Sequence, residues 1–149
     1  MSDTREYVLV LVVEDNNERV SDFRRWLAHP SIRLLHVKTG DAALRCVETD
    51  RYDLILLDHD LDLQHPNGRL GQVNGTNVVE RLVASRVNRM TPVIIHSMNP
   101  GARNRMFQRL KANRFAVEIR PFAEWSDAWA GELREDLLLE FQADRGSPQ

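Results

Sequence analysis

The sequence predicts a doubly wound α/β domain on a five-stranded parallel sheet, and three observations carry that expectation. Short apolar runs recur at regular intervals, segments of helical spacing separate them, and several runs are continuous rather than alternating. Continuous apolar strands belong to sheets covered on both faces, as a parallel sheet between two helical layers is. The chain has 149 residues, 42% hydrophobic and 28% charged, which is enough for one such domain and too little for two.

The elements follow in order. Tyr7 to Val13 is the first strand, and a helix from Asn17 to about Ala28 turns Val20, Phe23 and Leu27 to one side. Ile32 to Val37 is the second strand, followed by a helix from Asp41 to Thr49 with Ala43, Leu44 and Val47 on its apolar face. Leu54 to Leu57 is the third strand. The helix from Thr76 to about Val87 carries Val78, Val79, Leu82 and Val83. Val93 to Ile95 is the fourth strand, the helix from Ala102 to Asn113 carries Met106, Phe107 and Leu110, and Ala116 to Ile119 is the fifth. A last helix, about Ala123 to Ala143, sets Trp125, Trp129, Leu133, Leu137 and Phe141 four residues apart. Right-handed crossovers in this pattern gather the C-terminal ends of all strands on one edge. One domain over residues 1–149 is expected, with residues 62–75 as a flexible flap and 145–149 as a frayed tail.

Composition excludes several classes. The longest apolar run is seven residues, far below the ~18 that suggest a membrane span. The N-terminus MSDTREYV lacks a signal-peptide pattern, so a cytoplasmic protein is expected. Cys46 is alone, which excludes an intrachain disulfide framework and a cysteine-rich zinc site. The formal net charge of -2 conceals two opposed parts: Arg81 to Arg120 holds nine basic residues and one acidic, a +8 segment, and the remainder is -10. The basic stretch is either the solvated face of two helices or an attractor for an anionic ligand, such as an RNA end. No aromatic-rich strand accompanies it, so sequence-specific nucleic-acid binding is not expected.

The polar residues that matter should stand at the strand ends. Glu14 and Asp15 follow the first strand; Asp58 closes the third, with His59, Asp60 and Asp62 beyond it. Carboxylates converging from distant segments repel one another unless a cation lies between them, and oxygen donors suit Mg²⁺ or Mn²⁺. Ser97 closes the fourth strand and leads into Met98-Asn99-Pro100-Gly101 and a helix with Arg103 and Arg105. A hydroxyl, a glycine turn and helix-start N–H groups form a phosphate cradle, or an ordinary turn and N-cap. Arg120, ending the fifth strand, adds a fixed charge to the rim. His59 and His96 are either satisfied core and rim histidines or, if they meet below the pocket, a general acid and base or ligands that favour Mn²⁺ or Zn²⁺. His29, His36 and His65 are expected at the surface.

Val12-Val13-Glu14-Asp15-Asn16, Gly40-Asp41-Ala42-Ala43-Leu44, Tyr52 to Asp58 and Pro92-Val93-Ile94-Ile95 resemble the receiver domains of bacterial response regulators, which implies a flavodoxin-like fold with strand order 2-1-3-4-5. The resemblance implies that Glu14 and Asp15 hold a divalent metal, that Asp58 matches the phosphoacceptor and that Ser97 matches the switch hydroxyl. Two departures stand out: Arg120-Pro121-Phe122 replaces a lysine before the final proline, and Gly75 arrives 17 residues after Asp58 rather than about eight to ten. Asp58-His59-Asp60-Leu61 and His96-Ser97-Met98-Asn99-Pro100-Gly101 resemble a narrower group, the cyclic-phosphate-processing receiver domains, although Gly101 comes one place early.

Three functional readings stay open at this point. In the first, an enzyme hydrolyses a cyclic phosphate of a nucleotide or RNA end, using Asp58, His59, Asp60, His96, Ser97 and Arg120, with Asn99, Gly101 and Arg103 around the phosphate and a metal on Glu14, Asp15 and Asp58. In the second, a stand-alone response regulator takes a phosphoryl group on Asp58 from a histidine kinase. In the third, a pseudo-receiver binds without turnover. The far end of the last helix, including Leu138 and Phe141, is a candidate homodimer contact.

Overall fold

A computed structural model describes residues 5–61 and 73–146. Five strands form one parallel sheet: β1 (Val8–Val13), β2 (Ile32–Val37), β3 (Leu54–Leu57), β4 (Val93–Ile95) and β5 (Val117–Ile119), in the order β2-β1-β3-β4-β5. The helices are α1 (Asn17–Trp26), α2 (Gly40–Thr49), α3 (Gly75–Ala84), α4 (Pro100–Ala112) and α5 (Asp127–Gly146). The expected fold class and strand order are those observed.

Alternation divides the core in two. Leu11, Val13, Ile55, Leu57, Val93 and Ile95 pack with α2, α3 and α4, while Val10, Val12, Leu54, Leu56 and Ile94 pack with α1 and α5. The helical apolar stripes explain the layers: Ala43 and Val47, Val78, Val79 and Leu82, and Met106 and Leu110 are buried on one side, Val20, Phe23, Ala130 and Leu137 on the other. Leu138 is buried in this second cluster, and Phe141 packs half-buried against the cluster.

Helix starts are set by side-chain caps. Asn16, Thr39 and Asn99 accept from the backbone N–H three residues on, and Asn74 accepts from Thr76 N at 2.9 Å while Asn77 Oδ1 accepts from Asn74 N. The cap at Asn99 starts α4 at Pro100, two residues before the sequence places it. The last helix begins later than Ala123: Phe122–Glu124 form a 3₁₀ turn, and the Ser126 hydroxyl then accepts from Trp129 N at 3.1 Å. Helix α1 stops at Trp26 and α3 at Ala84, short of Ala28 and Val87.

Most of the expected flap, residues 62–72 with Asp62 and His65, lies outside the described residues, as does the tail beyond 146. No helix among the described residues is long and apolar enough to cross a membrane.

Candidate metal and phosphate site

Three adjacent strands end in one row. The register pairs Val13 with Leu57 and Leu57 with Ile95. Carried one residue further, it sets Glu14, Asp58 and His96 side by side. By alternation this row shares the face of Val12, Leu56 and Ile94, the face that α1 and α5 cover.

All three side chains are buried; Glu14 and His96 are 0% exposed and Asp58 4%. One donor atom from each lies within 4.8 Å of the others. His96 Nε2 is 3.0 Å from Glu14 Oε1, its Nδ1 has no partner, and Phe23 packs edge-on to its ring at a centroid distance of 4.9 Å. Asp58 Oδ1 accepts from His59 N at 2.8 Å.

Burial disfavours charge on each member. It pushes the Asp58 carboxyl up to about 6, opposed by His96 and reinforced by Glu14. It also raises Glu14 and pulls His96 down to about 4. Burial thus favours the uncharged imidazole, against the pull of the Asp58 charge. Among the described residues, the fixed cation beside the two acids is Arg19, in the first turn of α1: its Nη1 is 3.7 Å from Glu14 Oε1 and 3.9 Å from Asp58 Oδ2, and its guanidinium lies 5.3 Å from the Phe122 ring centroid.

A cleft of about 500 Å³ opens over the row, with Asp15, Asp58 and Asp60 supplying carboxylates, Arg19 the positive charge, and Asn16 and Asn99 amides. Several oxygen donors around partly desolvated carboxylates form a set that fits a hard divalent cation.

The other expected site residues are distributed differently. His59 and His96 do not meet: the register puts His96 beside Asp58, and His59, one residue on, takes Asp60, with Nδ1 2.9 Å from Oδ1. The Ser97 turn is built as a helix cap. Ser97 Oγ accepts from Asn99 N at 3.1 Å, Asn99 Oδ1 accepts from Ala102 N at 3.1 Å, and Arg103 Nη1 donates to Ser97 O at 3.3 Å. Gly101 is exposed in the first turn of α4. Arg120 turns away from the cleft: its Nη2 donates to Glu124 O at 2.7 Å and its guanidinium stacks 4.5 Å from the Trp129 centroid. His36, expected at the surface, is half-buried, with Nε2 2.7 Å from Glu14 O.

Sequence reasoning missed Arg19. It lies outside the +8 segment and its side chain reaches the acids only because the Asn16 cap starts α1 directly over the end of β1. The one available signal was its position three residues after a capping Asn.

The fold and the acidic strand ends define a receiver domain. The receiver domain of a sensor histidine kinase from Pseudomonas aeruginosa, solved with a magnesium ion coordinated in its active-site cleft, superposes with a TM-score of 0.63 at 23% identity, over 89% of this chain and 96% of that one. A Francisella response regulator receiver domain gives a TM-score of 0.61 at 21% identity, over 90% and 98%. A CheY-like receiver domain from Methylobacillus flagellatus gives 0.60 at 18%, over 88% and 98%. Within that class the chain belongs to the cyclic-phosphate processing receiver domain family, whose model matches residues 9–112. No curated protein matches the sequence.

Proposed function

We propose that the cleft takes a divalent cation, Mg²⁺ or Mn²⁺, together with a phosphate ester, and that it hydrolyses a cyclic phosphate of a nucleotide or RNA end. The observation that supports this reading is the buried Glu14–Asp58 pair, of which Asp58 lines the open cleft, with Arg19, beyond hydrogen-bond distance of both, as the one basic residue in that lining among the described residues. Glu14, Asp15 and Asp58 would hold the metal, with Asp60 at the mouth. A cation bound there supplies neutralisation of phosphoryl oxygens and a more acidic water.

The chain's own residues do the remaining work. In a neutral ring, donation from His59 Nδ1 to Asp60 Oδ1 leaves Nε2 as a base. It takes a proton from water as the water oxygen bonds to phosphorus; the ring P–O bond breaks, and the same proton returns to the departing oxygen. The product is a phosphomonoester, and no protein nucleophile is consumed. His96 holds Glu14 in place through Nε2.

A second reading has Asp58 accept a phosphoryl group from a histidine kinase, and it is favoured by the receiver fold and by the placement of Asp58 at the end of β3. Incubation with Mg²⁺ or Mn²⁺ and either a panel of cyclic phosphates or an acyl phosphate donor separates the two. The expected result is linear product that EDTA abolishes and that Asp58→Asn lowers by about a hundredfold or more, the scale of losing one catalytic or metal-holding group. Stable phospho-Asp58 without linear product would replace the first reading with the second. Tight binding with neither outcome would leave a pseudo-receiver.

A further inference from the structure

Arg19 is the only basic residue lining the cleft among the described residues. Its guanidinium stands between two buried acids, 3.7 Å from Glu14 and 3.9 Å from Asp58. Both distances exceed hydrogen-bond length, so Arg19 offsets their charge without being latched to them. Its side chain is 32% exposed, and Phe122 supports one face of the guanidinium. Of the other arginines the sequence offers for a phosphate, Arg120 is engaged with Glu124 O and Trp129 and Arg103 with Ser97 O, and Arg105 does not line the cleft.

A metal ion and a guanidinium compete for the same oxygens and repel each other. Metal entry therefore drives Arg19 outward into the cleft, where a planar fork of N–H donors is suited to phosphate. We propose that Arg19 is a displaceable counter-cation that neutralises the Glu14–Asp58 pair in the metal-free protein and, once displaced, clamps the phosphate group of the ligand. This rests on the metal reading above. It makes the two ligands cooperative, because phosphate stabilises the arginine position that metal requires, and such coupling is reciprocal.

The test is Mn²⁺ binding to the full chain, read from the electron spin resonance signal of free Mn²⁺, with and without inorganic phosphate. Arg19→Met keeps the aliphatic stem over Phe122 and removes the charge; Arg19→Lys keeps the charge without the fork. Without phosphate, Arg19→Met is expected to bind Mn²⁺ about five- to tenfold more tightly than wild type, and Arg19→Lys about as wild type does. Phosphate is expected to tighten Mn²⁺ binding about fivefold or more in wild type and far less in Arg19→Met. A gain in affinity is not an outcome of misfolding. Unchanged or weaker Mn²⁺ affinity in Arg19→Met, or phosphate coupling equal to that of wild type, would overturn the inference while leaving the metal site intact. Binding by neither protein would overturn the metal reading and this inference together.

Discussion

The two ends of the sheet both bury polar groups, yet they do so in opposite ways. At the end where the strands begin, Asn88 and Thr91 form a neutral network. Asn88 Oδ1 accepts from Tyr52 N at 2.9 Å, Asn88 Nδ2 donates to Val47 O and Asp50 O at 2.8 Å each, and Thr91 Oγ1 donates to Tyr52 O at 2.8 Å. At the other end Glu14, Asp58 and His96 are ionisable, shifted by burial, and partnered by an arginine beyond hydrogen-bond distance. Satisfied neutral polarity locks loops together, whereas shifted charge costs stability in the free protein and is relieved by a ligand.

The largest expected effect lies in the neutral network. Asn88→Ala leaves two carbonyls and the Tyr52 N–H without partners in the interior, and should lower stability by about 3 kcal/mol in urea denaturation. A loss below about 1 kcal/mol would erase the contrast between the two ends.

Asp58→Asn should act in the opposite direction. The carboxyl is raised from 3.8 to about 6 in the fold, so the native state binds the proton more tightly. The charge penalty is absent below the unfolded value and grows as pH rises through about 6. In EDTA, the variant should be about 2 kcal/mol more stable than wild type at pH 8, with the gain vanishing below about pH 4. His96 runs the other way, from 6.5 down to about 4: its contribution is complete above pH 6.5 and lost as pH falls through 4. The Asp58 charge raises His96, so the two titrations are linked and the comparison is read at pH 8, well above both. A variant less stable than wild type at pH 8 would show that the row is satisfied rather than strained.

The smallest effect sharpens the boundary. Asn99 lines the cleft but caps α4, so Asn99→Ala should cost about 1 kcal/mol in thermal unfolding. Its Mn²⁺ affinity should match wild type; a large drop would move Asn99 into the ligand set.

The sheet was legible because each layer left its own period. Val8 to Val13 reads as buried on both faces and is nearly so throughout, and the four-residue spacing of Trp125 to Phe141 anticipated the face of α5 that covers the sheet. Carboxylates at strand ends were legible for the same reason, since topology fixes where strands end. Register was not. Placing His96 against Asp58 rather than His59 depends on a one-residue offset between β3 and β4, and no composition or spacing encodes it. The charge tally also misled. Two of the nine basic residues of the +8 segment pair with acids elsewhere in the fold, Arg81 with Glu48 and Arg109 with Glu80, and none of the nine lines the cleft, while the cation in the cleft comes from the acidic remainder of the chain.

Gly75 has a consequence for how the chain can change. Its N–H donates to His59 O at 2.9 Å, and a Cβ there would collide with Asp58 O and His59 Cα. Val73 is seated just as closely on Gly40, where a side chain would also collide, and Leu61 is buried in the core. The described ends of the connection between β3 and α3, at Leu61 and at Val73 to Gly75, are therefore both held by the rest of the domain. Closing a loop between pinned ends costs only about 0.6 kcal/mol more for each doubling of its length. The number of residues between 61 and 73 can therefore change at little cost in closure, and this connection is the place to graft new specificity onto the domain.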